Sequence, residues 1–126
     1  MAISCLPAIV LLVAGCYRKP TYTPPETYPV TGKVVSTSGK MLTGSLIKFV
    51  PPDGQLVGEG NIQADGSFSL RTLFHEQWLE GAVEGADCRV EILVPLGADR
   101  LGGQTIHVQQ KYTIEAKENN FTVTLE

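Results

Sequence analysis

The sequence predicts an all-β fold, a seven-stranded antiparallel sandwich that follows an apolar leader and a proline-rich linker. From Val30 onward, short runs alternate apolar and polar residues, and this period of two is typical of strands with one buried face. Gly, Asp, Asn and Pro interrupt the runs about every 8–12 residues, as the turns of a sandwich do. The predicted strands are 29–36, 44–51, 56–63, 67–74, 87–95, 105–116 and 120–125, and a break near Gln110 in the sixth of them is left open.

The first sixteen residues form an apolar leader that ends in a cysteine. Residues 6–13 carry no charge, and two small residues, Ala14 and Gly15, come directly before Cys16. Crossing a bilayer needs about 20 apolar residues, so this run is too short to be a spanning helix. Two interpretations remain, an ordinary buried element of the domain and a cleavable secretory leader.

The leader resembles the lipobox of bacterial lipoproteins, which favours the second interpretation. The resemblance implies that residues 1–15 are a signal peptide and that Cys16 is acylated on its sulfur. It also implies an exported protein, anchored by lipid in the cell envelope. Tyr17 is not the aspartate that retains some lipoproteins in the inner membrane, so we expect the outer membrane or cell surface, with the inner membrane as the alternative. Unlike most secretory leaders, this one has no Lys or Arg before the cysteine.

Residues 16–28 form a linker between the lipidated cysteine and the sandwich domain at 29–126. Proline recurs in residues 17–29 and favours an extended path of about 3.1 Å per residue, so this stretch predicts a tether of about 40 Å. Arg18 and Lys19 stand beside the anchor, where they either meet anionic head groups or form part of an ordinary solvated tail.

Composition limits the remaining function classes. The chain has 126 residues, which is the length of one domain. Its net charge is −3, and the sequence gives no sign of the basic patch that a nucleic-acid partner needs. Of the three cysteines, Cys5 leaves with the leader and Cys16 is acylated. We therefore expect Cys88 to be a buried apolar side chain, the alternative being a nucleophile for which the sequence offers no nearby base.

Turn chemistry separates the strands. Asp65-Gly66 predicts a hairpin, because such turns need positive φ, and Asn119-Asn120 is a weaker signal of the same kind. Residues 75–86 form the longest connection between predicted strands. Within it, residues 75–80 have room for one helical turn around Trp78.

Five motifs follow one another along the predicted domain. They are Val30-Thr31-Gly32-Lys33-Val34, Gly44-Ser45-Leu46-Ile47-Lys48-Phe49-Val50-Pro51, Ala64-Asp65-Gly66-Ser67-Phe68, Cys88-Arg89-Val90-Glu91-Ile92 and Glu118-Asn119-Asn120-Phe121. Their order resembles small bacterial lipoproteins with a carboxypeptidase-regulatory-like domain. That domain is a prealbumin-like (transthyretin-like), Ig-like sandwich, and the resemblance covers about residues 28–126. It implies a non-catalytic module in a structural or binding role.

The alternative function is a hydrolase. The transthyretin-like fold also hosts an enzyme that acts on 5-hydroxyisourate, with His and Arg residues at set strand positions and a Tyr-Arg-Gly-Ser tail. Residues 121–126 of this chain, Phe-Thr-Val-Thr-Leu-Glu, do not match that tail. We therefore expect no enzyme activity.

Few other residues suggest a site. His75, His107 and Asp65 lack the neighbours that a zinc or calcium site needs, and Gly102-Gly103 lacks the residues of a phosphate loop, so we expect no metal and no cofactor. Asn120 is predicted to be a turn residue. Trp78 is the one candidate contact for a carbohydrate or protein partner, with the alternative that it folds back to close the open end of the sandwich.

Overall fold

The computed structural model describes residues 22–37, 42–95 and 104–125, and within these ranges the chain is all-β, as predicted. No helix in these ranges is long and apolar enough to cross a membrane. The strands are β1 (Val30–Ser36), β2 (Leu46–Val50), β3 (Gly58–Asn61), β4 (Ser67–Ser69), β5 (Arg71–Phe74), β6 (Gln77–Glu80), β7 (Gly85–Val94), β8 (Gln104–Ile114) and β9 (Asn119–Leu125).

The strands form two sheets. The larger sheet has the order β6-β5-β3-β2-β7-β8, and every neighbouring pair in it is antiparallel. The smaller sheet has the order β4-β1-β9, in which β1 runs antiparallel to β4 and parallel to β9. A parallel pair needs a long connection, and here nearly the whole domain lies between its two strands.

The core lies between the inner faces of the two sheets, which confirms the predicted sandwich. Phe49 of β2 is fully buried, and its ring centroid lies 5.9 Å from that of Phe68 on β4 and 5.6 Å from that of Phe121 on β9. Tyr112 of β8 packs against the same ring at 5.8 Å. Burial of these aromatic side chains, each worth a few kcal/mol, holds the two sheets together.

The predicted strand 67–74 is divided at Leu70, where the chain passes from one sheet to the other. Before this residue β4 pairs with β1, and after it β5 pairs with β3 and β6. Phe68, Leu70 and Thr72 are all buried, so the alternation continues through the crossing. The sequence therefore predicts one strand where the structure has two.

The segment 75–86 differs from the prediction, because part of it is a strand. Gln77–Glu80 forms β6 and pairs with β5 as a hairpin. His75 and Glu76 connect the two strands with φ of 45° and 67°, the positive values of a two-residue hairpin turn. The helical turn expected around Trp78 is therefore wrong, and the addition of β6 brings the described strands to nine.

One further expectation is corrected near the C-terminal strands. Asn119 and Asn120 begin β9, so the turn assigned to Asn120 is wrong, and the chain reverses in residues 115–118. The predicted strand 105–116 is observed as β8. Its pairing with β7 is irregular near Gln110, because residues 109–111 of β8 lie opposite Arg89 alone, between the pairs Val90–Val108 and Cys88–Tyr112.

The linker also departs from the predicted tether, since residues 22–28 lie along β6. The ring of Tyr22 stacks on His75, Thr27 Oγ1 donates to the Glu80 carbonyl at 2.7 Å, and the backbones of Tyr28 and Ala82 exchange two hydrogen bonds. These contacts place the linker beside the β5–β6 hairpin, and the bridge between Tyr28 and Ala82 is antiparallel. The rest of the predicted linker, residues 16–21, lies outside the described residues.

Candidate functional site

An exposed cluster of aromatic and apolar side chains lies on the β5–β6 hairpin. Trp78 stands directly opposite Leu73 in the hairpin register, and the two side chains are 43% and 48% exposed. The guanidinium carbon of Arg71 lies 3.9 Å from the centroid of the Trp78 ring, within the range of a cation–π contact. We call Tyr22, Arg71, Leu73, Phe74, His75 and Trp78 the hairpin patch.

The turn end of the hairpin patch is built from stacked rings. Tyr22 and His75 lie nearly parallel with centroids 3.7 Å apart, and Phe74 meets the imidazole edge-on at 4.4 Å. Tyr22 is nevertheless 55% exposed, and the patch presents its apolar surface to solvent. Trp78 is therefore exposed and does not fold back over the open end of the sandwich, and its contact with a partner stays a prediction.

A row of charged side chains crosses the outer face of the six-stranded sheet, one from each strand. Carboxylates alternate with Arg, Lys or His, and Nδ1 of His107 lies 3.8 Å from Oε2 of Glu91. Opposite charges at paired positions stabilise a sheet by about 0.2–1 kcal/mol each. The row consists of Glu80, Arg71, Glu59, Lys48, Glu91 and His107, each the register partner of the next.

A second surface is an open polar groove beside β4, with a volume of about 620 Å³. Amide and hydroxyl side chains line it, and Arg71 joins it to the hairpin patch. Such groups form hydrogen bonds with peptides and sugars alike. Its polar lining residues are Thr31, Asn61, Gln63, Ser67, Ser69, Arg71 and Asn120.

The two histidines do not form a common site. His75 lies in the turn between β5 and β6, and His107 lies on β8, at the opposite edge of the same sheet. Within residues 22–37, 42–95 and 104–125, no three His, Cys, Asp or Glu side chains are grouped as a metal site requires.

Asp65 lies in the predicted turn, where Gly66 has φ of 88°. Its Oδ1 accepts hydrogen bonds from the Ser67 hydroxyl at 2.6 Å and from the Ser67 amide at 3.0 Å. These bonds stabilise the carboxylate and lower the pKa of Asp65 below its usual value. The carboxylate therefore stabilises the turn in which it lies.

Cys88 is buried on the inner face of β7 at 1% exposure, as expected. Burial, followed by the nearby charges of Asp87 and Asp53, raises the pKa of its thiol. A thiol that is inaccessible and held in its neutral form is a poor nucleophile. Its position fits the prediction of a core side chain.

The remaining sequence predictions fall outside the described residues. These are the predicted lipidation of Cys16 and the predictions for Arg18, Lys19 and the Gly102-Gly103 pair. The sequence gives no signal that Arg71 and Leu73 lie next to Trp78, because the hairpin register brings these side chains together. The same holds for Tyr22, because a proline-rich linker gives no signal that it will pack on a strand.

Comparisons with known proteins do not assign the site. No protein-family model, no curated protein and no solved structure matches this chain. The functional argument therefore depends on the residues of the chain itself.

Proposed function

We propose that the protein is an exported lipoprotein of the bacterial cell envelope, anchored through acylated Cys16 and carrying a non-catalytic sandwich as a structural or binding module. The observation that carries the proposal is the uncharged apolar run at residues 6–13, followed by Ala14, Gly15 and Cys16. A leader with small residues before its end is the pattern that export machinery processes.

The engagement of the reactive side chains supports a non-catalytic role. His75 is stacked on Tyr22, His107 faces Glu91, Asp65 is bound by Ser67, and Cys88 is buried. A catalytic base and its nucleophile need to approach within hydrogen-bond distance of each other. These groups are instead distributed over separate strands and turns.

The surfaces of the sandwich support a binding role. The polar groove beside β4 offers hydrogen-bonding side chains, and the adjoining six-stranded sheet presents its charged row to solvent. Rigid strands hold such groups in place at little entropic cost on binding. We therefore propose that the partner is a polar surface, a protein or a glycan of the envelope.

Metabolic labelling with radioactive palmitate tests the anchor. We expect the wild-type protein to incorporate label and Cys16→Ser to incorporate none. Cys88→Ser is the matched control, because it removes a thiol that is buried in the domain and should keep full labelling. Equal labelling of wild type and Cys16→Ser would contradict the proposal.

A further inference from the structure

We propose that the hairpin patch is a lipid-contact surface, which rests on the phospholipid head-group layer and fixes the orientation of the sandwich on the membrane. This inference rests on the proposed function, because it takes Cys16 as the point of anchoring. It goes further by assigning an occupant, a phospholipid surface, to a patch on the described part of the chain.

The first argument is the reach of the chain. Tyr22 is fixed at the turn of the hairpin by its stack on His75, and Cys16 lies only six residues before it. Six Cα steps span at most about 20 Å even when fully extended. The turn of the β5–β6 hairpin is therefore held within that distance of the acylated residue, whichever path residues 17–21 take.

The second argument is the chemistry of the surface that this tether brings to the lipid. Trp78 and Leu73 are opposite each other on the exposed face of the hairpin, next to the turn. Trp and Tyr are favoured at the membrane interface, where an apolar ring meets acyl chains and a polar tip meets water and head groups. Trp78, Leu73 and Tyr22 supply this combination at the end of the molecule closest to the anchor.

The charges of the hairpin patch determine whether docking should depend on the charge of the lipid head groups. Arg71 covers one face of Trp78 and is placed to meet a phosphate, but its register partner is Glu80, and Glu76 lies in the turn. These three charges sum to −1, so the hairpin has no excess of positive charge that would favour anionic lipids. We expect docking to depend on insertion of Trp78 and Leu73, with little difference between zwitterionic and anionic lipids.

The test measures tryptophan fluorescence, which reports on Trp78 alone because it is the only tryptophan in the chain. The acylated mature protein is purified from host membranes and reconstituted into vesicles of phosphatidylethanolamine and phosphatidylglycerol. Half of the preparations contain lipids brominated on the upper part of the acyl chain. We expect a several-fold loss of tryptophan emission in the brominated vesicles relative to unbrominated vesicles of the same composition.

Two variants on the same face of the sheet provide the control. Leu73→Asp places a charge on the hairpin patch and should restore most of the emission in brominated vesicles. Thr105→Asp places the same charge on β8, at the far edge of the same sheet, and should leave the quenching unchanged. Both wild-type side chains are exposed, so neither substitution disturbs the core.

The outcomes separate this inference from the proposed function. Protein that floats with the vesicles but shows equal emission with and without bromine overturns the lipid contact and leaves the anchor intact. Protein that does not float overturns both. Shielding of Trp78 in native membranes but not in pure lipid vesicles would assign the patch to a protein or glycan instead, and the inference would be wrong.

Discussion

At the residue scale, two neighbouring asparagines have different roles at the start of β9. Asn119 is 4% exposed, and its side chain closes the preceding turn. Nδ2 donates to the carbonyls of Glu115 and Lys117 at 3.1 and 2.7 Å, and Oδ1 accepts from the Glu115 amide at 3.0 Å. Asn120 is exposed and makes one bond, to the hydroxyl of Thr31.

We predict that Asn119→Ala lowers the free energy of unfolding by about 2–4 kcal/mol, because it removes a buried side chain and the three hydrogen bonds by which it closes the turn. Asn120→Ala should cost less than about 1 kcal/mol, since the groups that it frees are exposed to water. Urea denaturation of both variants measures the difference. Equal losses would mean that the Asn119 bonds do not stabilise the turn.

Asp65 predicts a pH dependence of stability. Hydrogen bonds from Ser67 lower the pKa of Asp65 in the folded state, so the carboxylate stabilises the fold above the unfolded pKa of about 3.9. This contribution is lost as the pH falls through the lower folded value. The melting temperature of wild type should therefore fall more between pH 6 and pH 3 than that of Asp65→Asn. Parallel profiles for the two proteins would exclude this role.

At the element scale, the packed linker is the feature with most consequence. Gly81 has φ of 87°, and a Cβ at this position would collide with the Tyr28 carbonyl oxygen, so glycine allows the linker to approach. Thr27 and Tyr22 then hold the linker along the outer edge of β6. As a result, an edge strand that would otherwise be open to pairing with another chain is partly covered.

We predict that the double variant Tyr22→Ala/Thr27→Val releases the linker from β6. Hydrogen exchange at the Tyr28 and Ala82 amides should become about five- to ten-fold faster, because a lost hydrogen bond costs about 1 kcal/mol of local stability. Thr23→Val, which changes an exposed side chain of the same segment, is the matched control. Unchanged exchange in the double variant would mean that these contacts do not hold the linker.

The strands show what one sequence can and cannot predict. Alternating burial is a local property, so β1, β2, β7 and β9 were predicted nearly to the residue. β6 was missed because it has only four residues and its turn, His75-Glu76, lacks the Gly or Asn that usually marks positive φ. The crossing at Leu70 was missed because alternation does not change when a strand changes sheet.

The candidate site, like the strands, can be predicted from the sequence only in part. Trp78 was singled out from the sequence because it stands alone in a connecting segment. Its partners Arg71 and Leu73, and the row of charges across the six-stranded sheet, depend on strand register. Register is determined by contacts between distant parts of the chain, which a single sequence does not display.

At the scale of the whole molecule, we propose a small sandwich that is held close to a membrane and oriented by its own linker. Residues 22–28 pack against the folded domain, so an acyl anchor at Cys16 would bring the hairpin patch near the lipid. The polar groove and the charged row remain on the surfaces of the same domain for contact with a partner. Every part of this arrangement depends on where the chain is anchored.

The most direct test is the mass of the N-terminal peptide of the protein isolated from membranes of a bacterial host. The account predicts a mature chain that begins at Cys16 and carries a diacylglyceryl group on its sulfur. A chain that retains residues 1–15 and has an unmodified thiol at Cys16 would contradict the anchor, and with it the proposed place of the protein in the cell envelope.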